Sequence, residues 1–130
     1  MNWKRLIISK HVVWAYVLVV MLLAVLPLNS SGSLNNITLI RIRGDYWVHA
    51  VQFLPFACLA WISYRCGILK TLLPGIVLAV VAEAIQYFIP WRTYNINDLL
   101  TNLMGVLAGV FLLFLVEKIG RKSGFVKELK

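Results

Sequence analysis

Apolar residues run through this chain in four blocks, each ended by a short polar interruption. The first extends from about His11 to Leu28, with no charged residue between Lys10 and Arg41, and stops in the Pro-, Ser-, Gly- and Asn-rich run PLNSSGSLNN. The second covers roughly Tyr46 to Tyr64, the third Leu72 to Ile89 and the fourth Ile96 to Val116. Crossing a hydrocarbon core takes about 20 residues at about 1.5 Å each, so all four blocks approach or exceed a span. Lipid offers backbone groups no partner, which requires helices or a closed barrel. The chain lacks the alternating segments of about ten residues that a barrel needs. The pattern predicts an all-α, polytopic membrane protein of four transmembrane helices, with residues 1–130 forming one domain.

Composition agrees with that reading. The 130 residues are 61% hydrophobic and only 14% charged, with a mean hydropathy of +0.82, which excludes an ordinary soluble domain. With the N-terminus inside, Lys4, Arg5, Lys10, Arg65, Lys70, Lys118, Arg121, Lys122, Lys127 and Lys130 fall on the inner side. Only Arg41, Arg43 and Arg92 then fall outside. The positive-inside rule therefore places both termini in the cytoplasm. The net charge of +8 becomes a signal of topology and anionic lipid, with no nucleic-acid partner expected. Tyr46, Trp47, Trp91 and Tyr94 at outer ends, with Trp14, Trp61 and Tyr64 at inner ends, fit interfacial aromatic belts. The first block is longer than a signal-peptide core and has no Ala-x-Ala site at its end, so it is expected to stay as a span. Cys58 and Cys66 would lie about 12 Å apart along an unbroken helix, too far for a disulfide, and are expected to be reduced.

The costly positions lie in the run EAIQYFIPWRTYNINDLLTN, from Glu83 to Asn102. A charge at the centre of a membrane helix costs about 2.5 to 3.5 kcal/mol on insertion scales, so an intramembrane carboxylate marks a functional site by default. Glu83 and Gln86 share one helix face at i, i+3, and Asp98 and Asn102 share another at i, i+4. The short turn through Trp91 and Arg92 makes the third and fourth spans an antiparallel hairpin that can bring these faces together. Gly105 and Gly109 continue the second face as a seam of small residues allowing close backbone approach.

In order, Glu83-x-x-Gln86, Pro90-x-Arg92 and Asp98-x-x-x-Asn102-x-x-Gly105-x-x-x-Gly109, with His49 and Phe53 on the preceding span, resemble the signature of the VanZ-like family of small bacterial integral membrane proteins. The resemblance covers approximately residues 45–115. The family takes its name from a protein linked to low-level resistance to the glycopeptide teicoplanin. The resemblance implies a multi-pass protein of the bacterial cytoplasmic (inner) membrane connected with the cell envelope, and implies no known reaction.

Each polar residue also has a purely structural reading. Glu83 can hydrogen-bond across the bundle, and His49 can sit satisfied at the interface. Arg92 can snorkel to headgroups or pair with Asp98. Asp98 suits an N-cap or first-turn acid, Gln86 and Asn102 suit interhelical glue, and Gly105 and Gly109 suit packing. Glue alone, however, needs one or two amides or hydroxyls. Concentrating His49, Glu83, Gln86, Arg92, Asp98 and Asn102 near one membrane face favours a polar, ligand-binding cavity open to the outside.

Three functions fit such a cavity. The first in order is a protein that binds or modifies a lipid-linked or anionic envelope component, with Arg92 and His49 contacting a phosphate or carboxylate. The second is an enzyme acting on a lipid headgroup with His49 or Glu83 as general acid or base. No Ser/His/Asp order, zinc motif or phosphate-cradling loop supports catalysis, and no catalytic residue is assigned. The third is a small proton-coupled transporter, for which four helices are few. No cofactor or metal is expected, because the cluster's single histidine and its scattered carboxylates match no ligand spacing. Membrane lipids are the expected partners, and self-association is compatible with the pattern.

Overall fold

The computed structural model describes residues 10–26, 38–39, 42–64, 66–92 and 94–122. Helix α1 (Lys10–Val25) is followed by strands β1 (Thr38–Leu39) and β2 (Ile42–Arg43). Helices α2 (Gly44–Phe53), α3 (Phe56–Tyr64), α4 (Ile68–Tyr87) and α5 (Ile96–Lys122) complete the order. The two strands pair antiparallel, Thr38 with Arg43 and Leu39 with Ile42, and lead directly into α2. The fold is all-α in substance and fits a four-helix membrane protein. Gly44–Tyr64, Ile68–Tyr87 and Ile96–Gly120 are long and apolar enough to cross a membrane, and α1 is a shorter apolar helix of 16 residues. The run Pro27–Asn36 and the basic residues Lys4, Arg5, Arg41, Arg65, Lys127 and Lys130 lie outside the described residues.

The second span departs from the single helix expected for Tyr46–Tyr64, because it breaks at Leu54–Pro55 into α2 and α3. Pro55 has no N–H for the carbonyl of Val51, and its ring crowds that carbonyl. The helical pattern stops with Leu54 N donating to Ala50 O (3.2 Å) and resumes with Leu59 N donating to Pro55 O (3.0 Å). The premise of one helix carrying both cysteines fails as well. Cys66 lies beyond the end of α3, and both cysteines are free.

Helix α5 is the centre of the bundle, packing most extensively on α2 and then on α4, while α1 lies against α3 and α4. Its contact with α2 depends on two glycines. A Cβ at Gly105 would land on the backbone carbonyl of Ala50, and one at Gly109 on that of Leu54. Only a residue without a side chain admits that approach. Val20, Phe53, Phe56, Leu78, Ala79 and Val106 join the main buried cluster. Ala57, Trp61 and Leu113 form a smaller one. Trp61, expected in an interfacial belt, is therefore a core residue at 7% exposure, whereas Trp14 is 64% exposed. The outward faces carry Leu69, Leu73, Leu107, Phe111 and Ile119, all exposed, as a surface solvated by acyl chains requires.

Candidate functional site

The site is assembled where α1 ends, α2 begins and α4 turns into α5. The last carbonyls of a helix have no intrahelical donor, and Pro27 cannot supply an N–H to Leu23. Three side chains from the α4–α5 hairpin serve these carbonyls. Arg92 Nη2 donates to Leu23 O at 2.7 Å, Gln86 Nε2 to Ala24 O at 3.3 Å and Trp91 Nε1 to Val25 O at 3.0 Å. The cation also faces the negative end of the α1 dipole. Gln52 ties α1 to α2, since its Nε2 donates to Val20 O at 3.4 Å and its own backbone carbonyl accepts from the Tyr16 hydroxyl.

A second set of bonds joins α2, α4 and α5. His49 Nδ1 lies 3.1 Å from Asn102 Oδ1, and because an amide oxygen only accepts, the ring nitrogen donates. The other ring nitrogen, Nε2, faces Asp98 Oδ2 at 3.7 Å. Glu83, 1% exposed, turns its Oε1 to accept the backbone N–H of Asn95 at 3.1 Å and so latches the start of α5 onto α4. Asn95 is the N-cap of α5: its Oδ1 accepts from Asn97 N (3.0 Å) and its Nδ2 donates to Asp98 Oδ1 (3.0 Å). Such caps contribute about 1 kcal/mol, and here the cap also orients the carboxylate beside His49.

Between these two sets lies a cavity of about 90 Å³, lined by Leu23, Ala24, Val48, His49, Gln52, Phe53, Ala82, Gln86, Arg92 and Asn102. Four of the six sequence candidates, His49, Gln86, Arg92 and Asn102, stand on its wall. Glu83 and Asp98 do not, because Glu83 is directed at Asn95 and Asp98 flanks His49. The wall is thus rich in donors and free of carboxylates. Two buried polar atoms of the cluster, Glu83 Oε2 and Arg92 Nε, have no hydrogen-bond partner among the described residues. A buried group in that condition costs about 1–3 kcal/mol. Burial pushes the Arg92 guanidinium below its ordinary value, and the nearby carboxylates of Asp98 and Glu83 oppose that shift. Among the described residues no group of three or more His, Cys, Asp or Glu is arranged to hold a metal ion.

Sequence reasoning passed over Gln52 and Asn95. Gln52 sits one turn after His49 in an apolar span, so the cost of a polar group in lipid that singled out Glu83 singles it out too. Asn95 immediately precedes the first apolar residue of α5, a helix-start signal that went to Asp98. Of the two readings given for Asp98, N-cap or first-turn acid, the second holds. The interhelical carbonyls of Leu23, Ala24 and Val25 carry no side-chain signal at all.

Four apolar spans, with a donor-lined cavity held by α1, α2, α4, α5 and the turn between the last two, define a small polytopic membrane protein. The chain belongs to the VanZ/LLP1 family, whose model matches residues 13–117, from the first turns of α1 to the last turns of α5. No curated protein and no solved structure matches it.

Proposed function

We propose that the cavity binds the anionic group of a lipid-linked or otherwise membrane-associated envelope component at the outer leaflet. In this reading the protein works in the bacterial cytoplasmic membrane as a VanZ-like binding or envelope-modifying protein, and teicoplanin susceptibility is the cellular property it touches. One observation carries the reading: Arg92 is anchored through Nη2 to the end of α1 yet keeps its Nε buried and unpartnered beside a carboxylate-free wall. A guanidinium fixed by one nitrogen is pre-organised to meet an oxyanion with the rest, so little side-chain freedom is lost on binding. The cavity size favours the same class. About 90 Å³ holds a few waters' worth of volume, which suits one phosphate or carboxylate but not a sugar ring.

Glycerol 3-phosphate, an anionic headgroup without acyl chains, titrated into the detergent-solubilised protein provides the test. Removal of a charge-assisted hydrogen bond predicts about tenfold or greater weakening in Arg92→Ala. The uncharged glycerol should bind neither protein. Equal affinity of wild type and Arg92→Ala, with the variant still monodisperse, would sink the reading.

A further inference from the structure

The bundle holds a second concavity, along the part of α1 that precedes the polar cavity and sharing none of that cavity's lining residues. It is a groove of about 490 Å³ between α1, α3 and α4, with walls that include Val17, Met21, Ala60, Pro74 and Leu78. Along α1 it runs from Val13 to Met21 and along α4 from Lys70 to Val81. Those stretches are about 12 and 16 Å long, close to half of a hydrocarbon core of about 30 Å. The groove therefore has the reach of one leaflet.

Its mouth is basic and aromatic. Lys70 and Tyr64 line it, and the Lys10 ammonium stands 5.5 Å from the centroid of the Tyr64 ring. The ring face holds one ammonium at a fixed place by cation–π attraction, while Lys70 is exposed beside it. From the apolar length and the two ammonium groups at one end, we infer that the groove is a binding site for an anionic glycerophospholipid. One acyl chain lies along α1 and α4, and the phosphate meets Lys10 and Lys70. This lipid belongs to the leaflet on the basic side of the bundle. The site is independent of the one built on Arg92.

Competition in native mass spectrometry separates this from ordinary lipid solvation. The detergent-extracted full chain is offered equimolar phosphatidylglycerol and phosphatidylcholine of the same acyl composition. Phosphatidylglycerol should be retained preferentially, and each of Lys10→Gln and Lys70→Gln should reduce that preference by about fivefold. Val77→Trp, which adds bulk to the groove wall from an exposed position, should reduce retention of both lipids, and Arg92→Ala should leave the preference unchanged. Equal retention of the two lipids by the wild type overturns the assignment. An undiminished preference in the Lys10→Gln, Lys70→Gln double variant overturns it too, whatever happens to the folding of Val77→Trp.

Discussion

Gly105→Ala is expected to lower the stability of the folded protein by about 1–3 kcal/mol, and Gly105→Val to prevent recovery of a monodisperse species. The sign is informative because alanine is the better helix former, by about 0.5–1 kcal/mol in a helix interior. At Gly105 the added methyl would occupy the place of the Ala50 carbonyl, a backbone group that moves only if α2 moves. Gly109 against Leu54 should behave in the same way. Gly75 should suffer less, since its would-be Cβ meets the Val106 side chain at 2.7 Å, and a side chain can turn aside. Gly67 has nothing within 4 Å, so Gly67→Ala should change stability by about 0.5 kcal/mol or less. Thermal unfolding of the four alanine variants in one detergent gives the order. A Gly105→Ala protein as stable as wild type would show that α2 and α5 do not meet through this seam.

Glu83→Ala should cost about 2–4 kcal/mol, whereas Glu83→Gln should stay within about 1 kcal/mol of wild type. Oε1 of Glu83 accepts the Asn95 N–H at the start of α5, and truncation leaves that donor without its partner and opens space among buried groups. Glutamine keeps an acceptor of the same reach and replaces the orphaned Oε2 with a donor. Scanning fluorimetry on the intrinsic tryptophans follows both variants. If alanine and glutamine shift the transition equally, the carboxylate acts through something other than the latch on Asn95.

The spans were legible in the sequence because lipid imposes a crude requirement, long apolar blocks, that any chain crossing it displays. The meeting of the Gln86 and Asn102 faces was legible for a related reason: polar residues are expensive in such blocks, so those present are few and their helical phase can be followed, whereas His49 entered through the family resemblance. What escaped was of three kinds. Pro55 sits in a block whose composition is otherwise that of one continuous helix, and block length alone does not reveal the break into α2 and α3. Trp61 was read by its nearness to a basic loop, when its helical phase turns it toward Leu113. The partners of Arg92, Gln86 and Trp91 are carbonyls of Leu23, Ala24 and Val25, and every residue carries a carbonyl. Only the missing N–H of Pro27 hinted that one of them needed a donor from elsewhere.

Those carbonyls change how Arg92 is understood. The same side chain closes the end of α1 and lines the cavity, so under the proposed reading one guanidinium serves both the fold and the ligand. Native mass spectrometry of the protein extracted from its own membrane, alongside Arg92→Ala, tests this most directly. Wild type should carry a phosphate- or carboxylate-bearing adduct that Arg92→Ala loses and that the Lys10→Gln, Lys70→Gln double variant keeps. An identical adduct at identical occupancy on wild type and a folded Arg92→Ala protein would contradict the account.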